Sequence, residues 1–448
     1  MTEQNSQMLA LSGHYTYGRL FRCTAPCVIM LVVTSIYGVV DGLFVSNFVG
    51  KTPFTAVNFI FPLLMILGGM GFMFGTGGGA LIAKTMGERQ EKKANEIFFL
   101  TVYTAAACGV VLMLLGIAFV RPVAVLLGAQ GQLLEDSVLY GSVYLLGLPG
   151  CVLQYAFQNL CATAGKPKLG LYVTVAAGVT NVVLDALFVA VLPWGLAGAA
   201  AASALSQYVG GIVPLIYFFR RNSSLLRLKK CRFDGKALPK ICTNGSSELL
   251  NNISMSIVNI LYNVQLLRFV GEDGIAAYGV LMYVNLIFLS IFIGYSVGTA
   301  PIISYHYGAQ NQKELRNLLH KSFVVLSVSA VLMFLLSEFL ARPLSTLFTG
   351  YDQGLLELTL RGFFLYSFSF LFSGFGIFGS SFFTALNDGL TSAVISFLRT
   401  LVFQIAAVLV LPLIWGVDGI WIAMVAAEVL AMATAFVFLA AKKKKYGY

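Results

Sequence analysis

The chain has 448 residues, of which 58% are apolar and only 11% charged, against about 25% charged in an average soluble domain. Apolar runs of 20 residues or more recur along its whole length, each able to cross a hydrocarbon core of about 30 Å, which excludes a string of soluble domains. The formal net charge of +10 does not indicate a nucleic-acid partner, because the basic residues lie in short loops between apolar runs rather than on one domain.

The elements follow in chain order. The opening MTEQNSQM is polar and lacks the basic-then-apolar pattern of a cleavable signal, so the first helix is expected to act as an uncleaved insertion signal. Twelve spans are predicted, near 20–49, 53–83, 96–120, 134–163, 168–192, 196–219, 243–270, 274–306, 316–340, 356–385, 390–412 and 418–440, most long enough to cross with some tilt. Span 1 holds Pro26, which removes a backbone hydrogen bond and permits a bend. Span 2 ends in GGALIAKT, residues 78–85. This resembles a phosphate-binding loop, but Ala83 replaces its last Gly and no strand precedes it, so nucleotide binding is not expected. The seven cysteines (Cys23, Cys27, Cys108, Cys151, Cys161, Cys231 and Cys242) are scattered without a CxxC pair, and read as packing residues rather than as disulfides or a zinc site. The histidines His14, His306 and His320 are too far apart for a metal site, and no cofactor is expected.

Lysine and arginine give the orientation. With the N-terminus inside, 23 of the 29 basic residues fall on the inner side, and only Lys51, Arg121, Arg342 and Arg361 lie outside or near it. Both termini are therefore expected on the cytoplasmic side of a chain that crosses the membrane many times.

An internal repeat accompanies this. Shifted by 221 residues, Phe48-Val49-Gly50 meets Phe269-Val270-Gly271, Gly77 to Gly87 meets Gly298 to Gly308, and Arg121-Pro122 meets Arg342-Pro343. Thr163-Ala164 likewise meets Thr384-Ala385, and Trp194 to Gly198 meets Trp415 to Gly419. The expected architecture is an all-α membrane protein of two six-helix lobes, residues 1–221 and 222–448, joined by a cytoplasmic linker at 220–240. Six crossings bring the chain back to the same side. The lobes should therefore be related by a pseudo-twofold axis along the membrane normal, with a substrate site between them.

Ionisable residues inside spans cost roughly 2.5–3.5 kcal/mol on insertion scales, so they are functional candidates. Asp41 in span 1 and Asp185 in span 5 fall at similar depth. One turn inward of them stand Tyr37 and Asn181, each on the same helix face as its carboxylate. A carboxyl group withdrawn from water favours its neutral form, and two close together favour holding a proton between them. The pair is therefore the expected ion- or proton-coupling site. The 221-residue shift places Tyr262 opposite Asp41 and Ala406 opposite Asp185, so the site belongs to the first lobe. Asn159, Gln158 and Ser203 are further candidates to line a cavity. Glu428 in span 12 either lines the cavity or bonds a neighbouring helix, and Arg399 in span 11 is a candidate partner for it. Glu248 opens span 7, where a helix N-terminus favours a carboxylate. Met and aromatic residues at the lobe interface suit amphipathic cations.

The sequence resembles the multidrug and toxic compound extrusion (MATE) family, in its MepA-like bacterial branch. The resemblance covers nearly the whole chain. It rests on Pro26 with Tyr37-Gly38-Val39-Val40-Asp41-Gly42-Leu43-Phe44 and Gly50, on Asn159 with Gly165-Lys166-Pro167-Lys168, and on Asn181-Val182-Val183-Leu184-Asp185. In the second half it rests on Gly245-Ser246-Ser247-Glu248 and on Pro301-Ile302-Ile303-Ser304-Tyr305 with Gly308. It implies a V-shaped two-lobe fold, alternating access, and export of organic cations in exchange for H⁺ or Na⁺. In relatives with a first-lobe site, the positions matching Tyr37, Asp41, Asn181 and Asp185 form the cation or proton site. Two positions depart from the pattern. Ala162 stands where relatives often place Arg, and span 10 has no acidic residue after Arg361, unlike relatives with a second-lobe sodium site.

The expected function is therefore a cation-coupled exporter of small amphipathic cationic drugs and dyes, not an enzyme. A lipid-linked precursor flippase of the same superfamily is the alternative within transport. It needs a basic cavity, for which only Arg399, Arg268 and Arg361 are available. A membrane receptor or scaffold is the alternative outside it, and the chain carries no sizeable extramembrane domain to read out a signal.

Overall fold

A computed structural model describes residues 12–49, 51–228, 235–349 and 352–448. Cys231 and part of the linker between the lobes lie outside the described residues. The first lobe comprises α1 (Tyr17–Phe44), α2 (Lys51–Gly87), α3 (Glu91–Leu126), α4 (Gly131–Leu146), α5 (Leu148–Thr163), α6 (Pro167–Asp185) and α7 (Gly195–Phe219). The second comprises α8 (Leu238–Phe269), α9 (Glu272–Gly308), α10 (Gln312–Thr349), α11 (Gln353–Tyr366), α12 (Phe370–Ala385), α13 (Gly389–Phe397), α14 (Phe403–Trp415) and α15 (Val417–Tyr446). No strand occurs among the described residues. In hydrocarbon each backbone N–H and C=O must be satisfied within its own segment, and helices achieve this.

These helices make twelve spans, because three spans are interrupted. Span 4 breaks at Gly147 and bends by 58° between α4 and α5. Pro149, in the first turn of α5, has no N–H to continue the ladder. Span 10 passes through a single 3₁₀ turn, Ser367–Ser369, between α11 and α12. Span 11 joins α13 to α14 through a π-helical turn, Leu398–Val402. Similar π turns follow α1 at Val45–Val49 and α6 at Ala186–Val191.

Among the described residues ten helical stretches are long and apolar enough to cross a membrane, and the bent pair α4–α5 makes an eleventh. The remaining span is α8, whose mean hydropathy is lowered by Asn251, Asn252, Asn259, Asn263 and Gln265. It is shielded within the bundle by α2 and α13. It also begins five residues earlier than the sequence pattern predicts. The N-terminus of this helix is thus displaced from Glu248.

The lobes meet through α1 against α9 and α2 against α8, with α2 also packed on α9. The contacts follow the sequence repeat. A Cβ on Gly87 would lie 2.1 Å from the carbonyl oxygen of Tyr305, and one on Gly308 2.0 Å from that of Lys84. These are the same contact twice, since each lobe's residue stands 221 positions from its counterpart. One helical stretch further in, Gly77 abuts Ile241 and Gly245 of α8, while Gly298 abuts Thr24 of α1. A pseudo-twofold axis therefore passes between the lobes, as the constant offset requires.

The start of α1, the ends of α9 and α15 and the start of α10 lie together at one face, here called the terminal face. There His14 Nδ1 is 2.8 Å from Glu314 Oε2, the Tyr15 N–H donates to Glu314 Oε1 at 2.9 Å, and Asn317 Nδ2 donates to the Tyr15 carbonyl at 3.1 Å. The chain entering the first lobe is thereby tied to the second.

Candidate cation-coupling site

Two helices of the first lobe bring the aspartates together. Asp41 is on α1, four residues from the π turn that ends this span, and Asp185 is the last residue of α6 before its own π turn. A π turn adds a residue to the helical repeat and rotates the side chains beyond it, which is why such turns recur at functional sites. The two carboxyl groups lie within hydrogen-bonding reach of each other. Asp185 is fully buried, while Asp41 is half-buried.

The surrounding polar groups come from three helices. Asn181 Nδ2 on α6 donates to Ser203 Oγ on α7 at 3.5 Å, and Ser203 Oγ donates to Asp41 Oδ1 at 3.5 Å. The Tyr140 side chain of α4 lies beside Ser203 and both aspartates. Both Asp185 oxygens and Asn181 Oδ1 are buried and accept no hydrogen bond from any described residue. No Lys, Arg or His forms an ion pair with either aspartate among the described residues. Unpaired buried acceptors are costly. Several such acceptors gathered around two carboxyl groups make a geometry suited to a shared proton or a small metal ion. No group of three or more His, Cys, Asp or Glu gathers elsewhere among the described residues.

Tyr37 takes a different place from the one its spacing implied. Its ring lies over Gly178 of α6, where a Cβ would come within 2.9 Å. Its hydroxyl accepts from Gln154 Nε2 of α5 at 3.4 Å, so it joins the wall of the site rather than bonding Asp41. Tyr140 and Gln154 are members that the sequence reading missed. The available signal was a run of polar residues in mid-span 4: Tyr140 and Tyr144, then Gln154. Asn159 is buried, and among the described residues its side chain bonds the Tyr155 carbonyl one turn back, at 3.5 Å. Gln158 is buried with neither amide atom partnered by a described residue. Pro26 lies within α1, which runs through it without interruption.

In the second lobe the charged residues pair instead. Arg399, in the π turn of span 11, donates from Nε to Glu428 Oε2 at 3.0 Å and from its terminal nitrogen to Glu428 Oε1 at 2.9 Å. Glu428 is fully buried and Arg399 nearly so. Glu428 thus bonds a neighbouring helix. Glu248 is not at a helix start. It lies three turns inside α8, beyond the first turn within which the helix dipole acts, so the dipole does not account for its carboxylate. It lies near Asn251 and within electrostatic range of Arg399. Tyr262, the repeat counterpart of Asp41, is stacked on Tyr278 with ring centroids 5.1 Å apart.

The MatE family profile matches residues 26–187 and again 249–410, one copy per lobe. The multidrug export protein MepA of Staphylococcus saprophyticus is 24% identical over 437 residues, covering 96% of this chain and 95% of that one. MepA of Staphylococcus aureus is 23% identical over 432 residues, with the same coverage. Among solved structures, a MATE protein in complex with MaL6 superposes with a TM-score of 0.93 at 21% identity, over 98% of this chain and 99% of that one. An outward-facing multidrug resistance MATE family transporter of the MOP superfamily also gives 0.93 at 21% identity, over 98% of each chain. With two profile copies spanning more than half of the sequence on a twelve-helix, two-lobe frame, the chain belongs to the MatE family.

Proposed function

We propose that this protein is a secondary active exporter that moves small amphipathic organic cations out of the cell against H⁺ or Na⁺. The observation that carries this reading is the buried acid pair. Asp41 and Asp185 face one another with unpartnered acceptor oxygens around them and no basic side chain to neutralise them. Two carboxylates at bonding distance require a shared cation, and the identity of that cation changes when the site opens to water or when a positive substrate approaches. Ser203, Asn181 and Tyr140 hold the carboxyls in register during the exchange. The relatives named for multidrug export support drug-like substrates.

Export requires the site to face each side in turn. The close backbone contacts at the terminal face, Gly87 on Tyr305 and Gly308 on Lys84, hold the lobes together there. With the termini cytoplasmic in a bacterial inner membrane, as the lysine and arginine distribution argues, this is the outward-open arrangement. The other state requires those contacts to part and the far ends of the lobes to close. A single copy of the chain carries both lobes, and the transporter works as a monomer.

The flippase alternative is disfavoured by how the arginines are used. Arg399 is bound by Glu428, and Arg361 contacts both carboxylate oxygens of Asp418. That leaves Arg268 of the three to hold a pyrophosphate.

The test is dye efflux from proteoliposomes under imposed pH or Na⁺ gradients, with wild type, Asp41→Asn and Asp185→Asn. Wild type should move ethidium against one of the gradients. Each variant should lose coupled efflux while keeping the helical spectrum and the elution volume of the wild type. Undiminished coupled efflux in either variant would remove that residue from the mechanism. Absence of efflux and of organic-cation binding in wild type would refute the exporter reading.

A further inference from the structure

A groove of about 500 Å³ lies at the terminal face between α1 and α6, well away from the acid pair. Its walls are apolar: Phe21 and Ile29 from α1, and Leu171 and Tyr172 from α6. Phe21 is 72% exposed, Tyr172 65% and Ile29 50%. The opposite face of α1 carries Thr24 and Val28 against α9, so the groove opens outward, away from the bundle. In a chain that spans a bilayer, acyl chains are what cover such a surface. From Gly18 to Ile29 the groove follows α1 for about 16 Å, starting where the helix leaves the interface and running toward the hydrocarbon.

Its lip is basic. Arg22 and Lys168 both line the groove, both are exposed, and neither is paired with an acidic side chain among the described residues. Two uncompensated cations above an apolar floor complement a lipid whose head group is negative and whose tails are apolar. Pro26 also lines the groove. With no N–H, Pro26 leaves the carbonyl four residues back without its helical partner, and that carbonyl belongs to Arg22. The side chain at the lip and the weak point of the helix ladder are therefore the same residue.

We propose that this groove is a binding site for a bilayer phospholipid with an anionic head group, which sits on Arg22 and Lys168 while an acyl chain lies along Phe21, Ile29, Leu171 and Tyr172. The bound lipid steadies α1 at its proline, and hence the helix that carries Asp41. The site is independent of what the protein exports.

The experiment uses the full chain in proteoliposomes containing a photoactivatable phosphatidylglycerol, or a phosphatidylcholine analogue with the same chains, with labelled peptides mapped by mass spectrometry. Near an interface each basic residue favours an anionic lipid several-fold. Wild type should therefore be labelled within residues 17–30 and 167–173 on the order of tenfold more by the phosphatidylglycerol probe. The double variant Arg22→Gln/Lys168→Gln should lose that preference. Gly18→Leu should reduce labelling by both probes, because a Cβ at Gly18 meets nothing within 4 Å and the added side chain fills the groove. Leu is also a better helix former than Gly, so this variant should fold. Excess inorganic phosphate should not compete. Equal labelling by the two probes, labelling unchanged in both variants, or displacement of the lipid by phosphate alone would each overturn the proposal.

Discussion

Gly87 and Gly308 stand 221 residues apart and make the same contact from opposite lobes. Each lies so near a carbonyl of the facing helix that a Cβ would come within 2.1 Å of Tyr305 O in one case and 2.0 Å of Lys84 O in the other. Small residues let helix backbones approach closely in membranes. Here they do so on both sides of the pseudo-twofold axis, and they set how tightly the lobes close at the terminal face.

Substitution of Gly308 by Val should therefore prise that face open. In a background freed of native cysteines, spin labels at Glu88 and Gln310, both exposed, should separate by several ångströms in Gly308→Val relative to the parent. Gly87→Val should do the same, because the contact is reciprocal. An unchanged distance distribution in both variants would mean that the interface absorbs the side chain without opening.

Arg399 and Glu428 form a buried, bidentate ion pair between spans 11 and 12. Removing one partner leaves the other charge uncompensated, at a cost of about 3–5 kcal/mol. Arg399→Met and Glu428→Gln should each lower thermal stability in detergent strongly, and the double variant should recover much of the loss. Additive losses in the double variant would show that the two residues do not act as a pair.

Ser203 connects Asn181 to Asp41 through one hydroxyl, with Tyr140 beside it. A hydrogen bond of this kind contributes about 1 kcal/mol. Ser203→Ala should thus slow coupled dye efflux roughly fivefold with no loss of folded protein, while Ser203→Thr, which keeps the hydroxyl, should fall less. Tyr140→Phe should act in the same direction. Wild-type efflux in Ser203→Ala would exclude the hydroxyl from the exchange.

Asp388, in the loop between spans 10 and 11, caps α13 through the Thr391 N–H at 3.3 Å and binds Lys442 Nζ at 2.6 Å and the Tyr446 hydroxyl at 2.7 Å. Burial alone would raise its carboxyl. The bonds from Lys442, Tyr446 and Thr391 outweigh burial and hold it at about 2, below the ordinary 3.8. A depressed carboxyl stabilises the fold above its unfolded value and loses that contribution as pH falls through its folded value. Asp388→Asn keeps a good helix cap but loses the negative charge that pairs with Lys442. It should cost on the order of 1–2 kcal/mol near neutral pH. The difference from wild type should shrink between about pH 4 and pH 2. A difference that is constant across that range would place the effect elsewhere.

What the sequence determined by itself was whatever a single helix or a global regularity carries. Apolar runs longer than the bilayer is thick made the spans, since lipid leaves the backbone no other way to pair its polar groups. The 221-residue offset made the two lobes, because the same pattern of helix ends and turn residues folds into two similar halves. The expense of a charge in hydrocarbon singled out Asp41, Asp185, Arg399 and Glu428. Tertiary structure alone decided which of these meet. Asp41 reached Asp185, and Arg399 reached Glu428, through helix packing angles that leave no periodic mark on the chain. Tyr140 and Gln154 were overlooked because an uncharged polar residue in a span costs too little to stand out. The break at Gly147, which starts α5 anew, redirects that helix and so the side of Gln154. Glu248 was misplaced because the polar residues of α8 hid its true start, and only the surrounding helices show that so polar a segment is shielded from lipid. The spans were written in local hydrophobicity. The site depends on contacts between distant residues, and these exist only once the spans are packed.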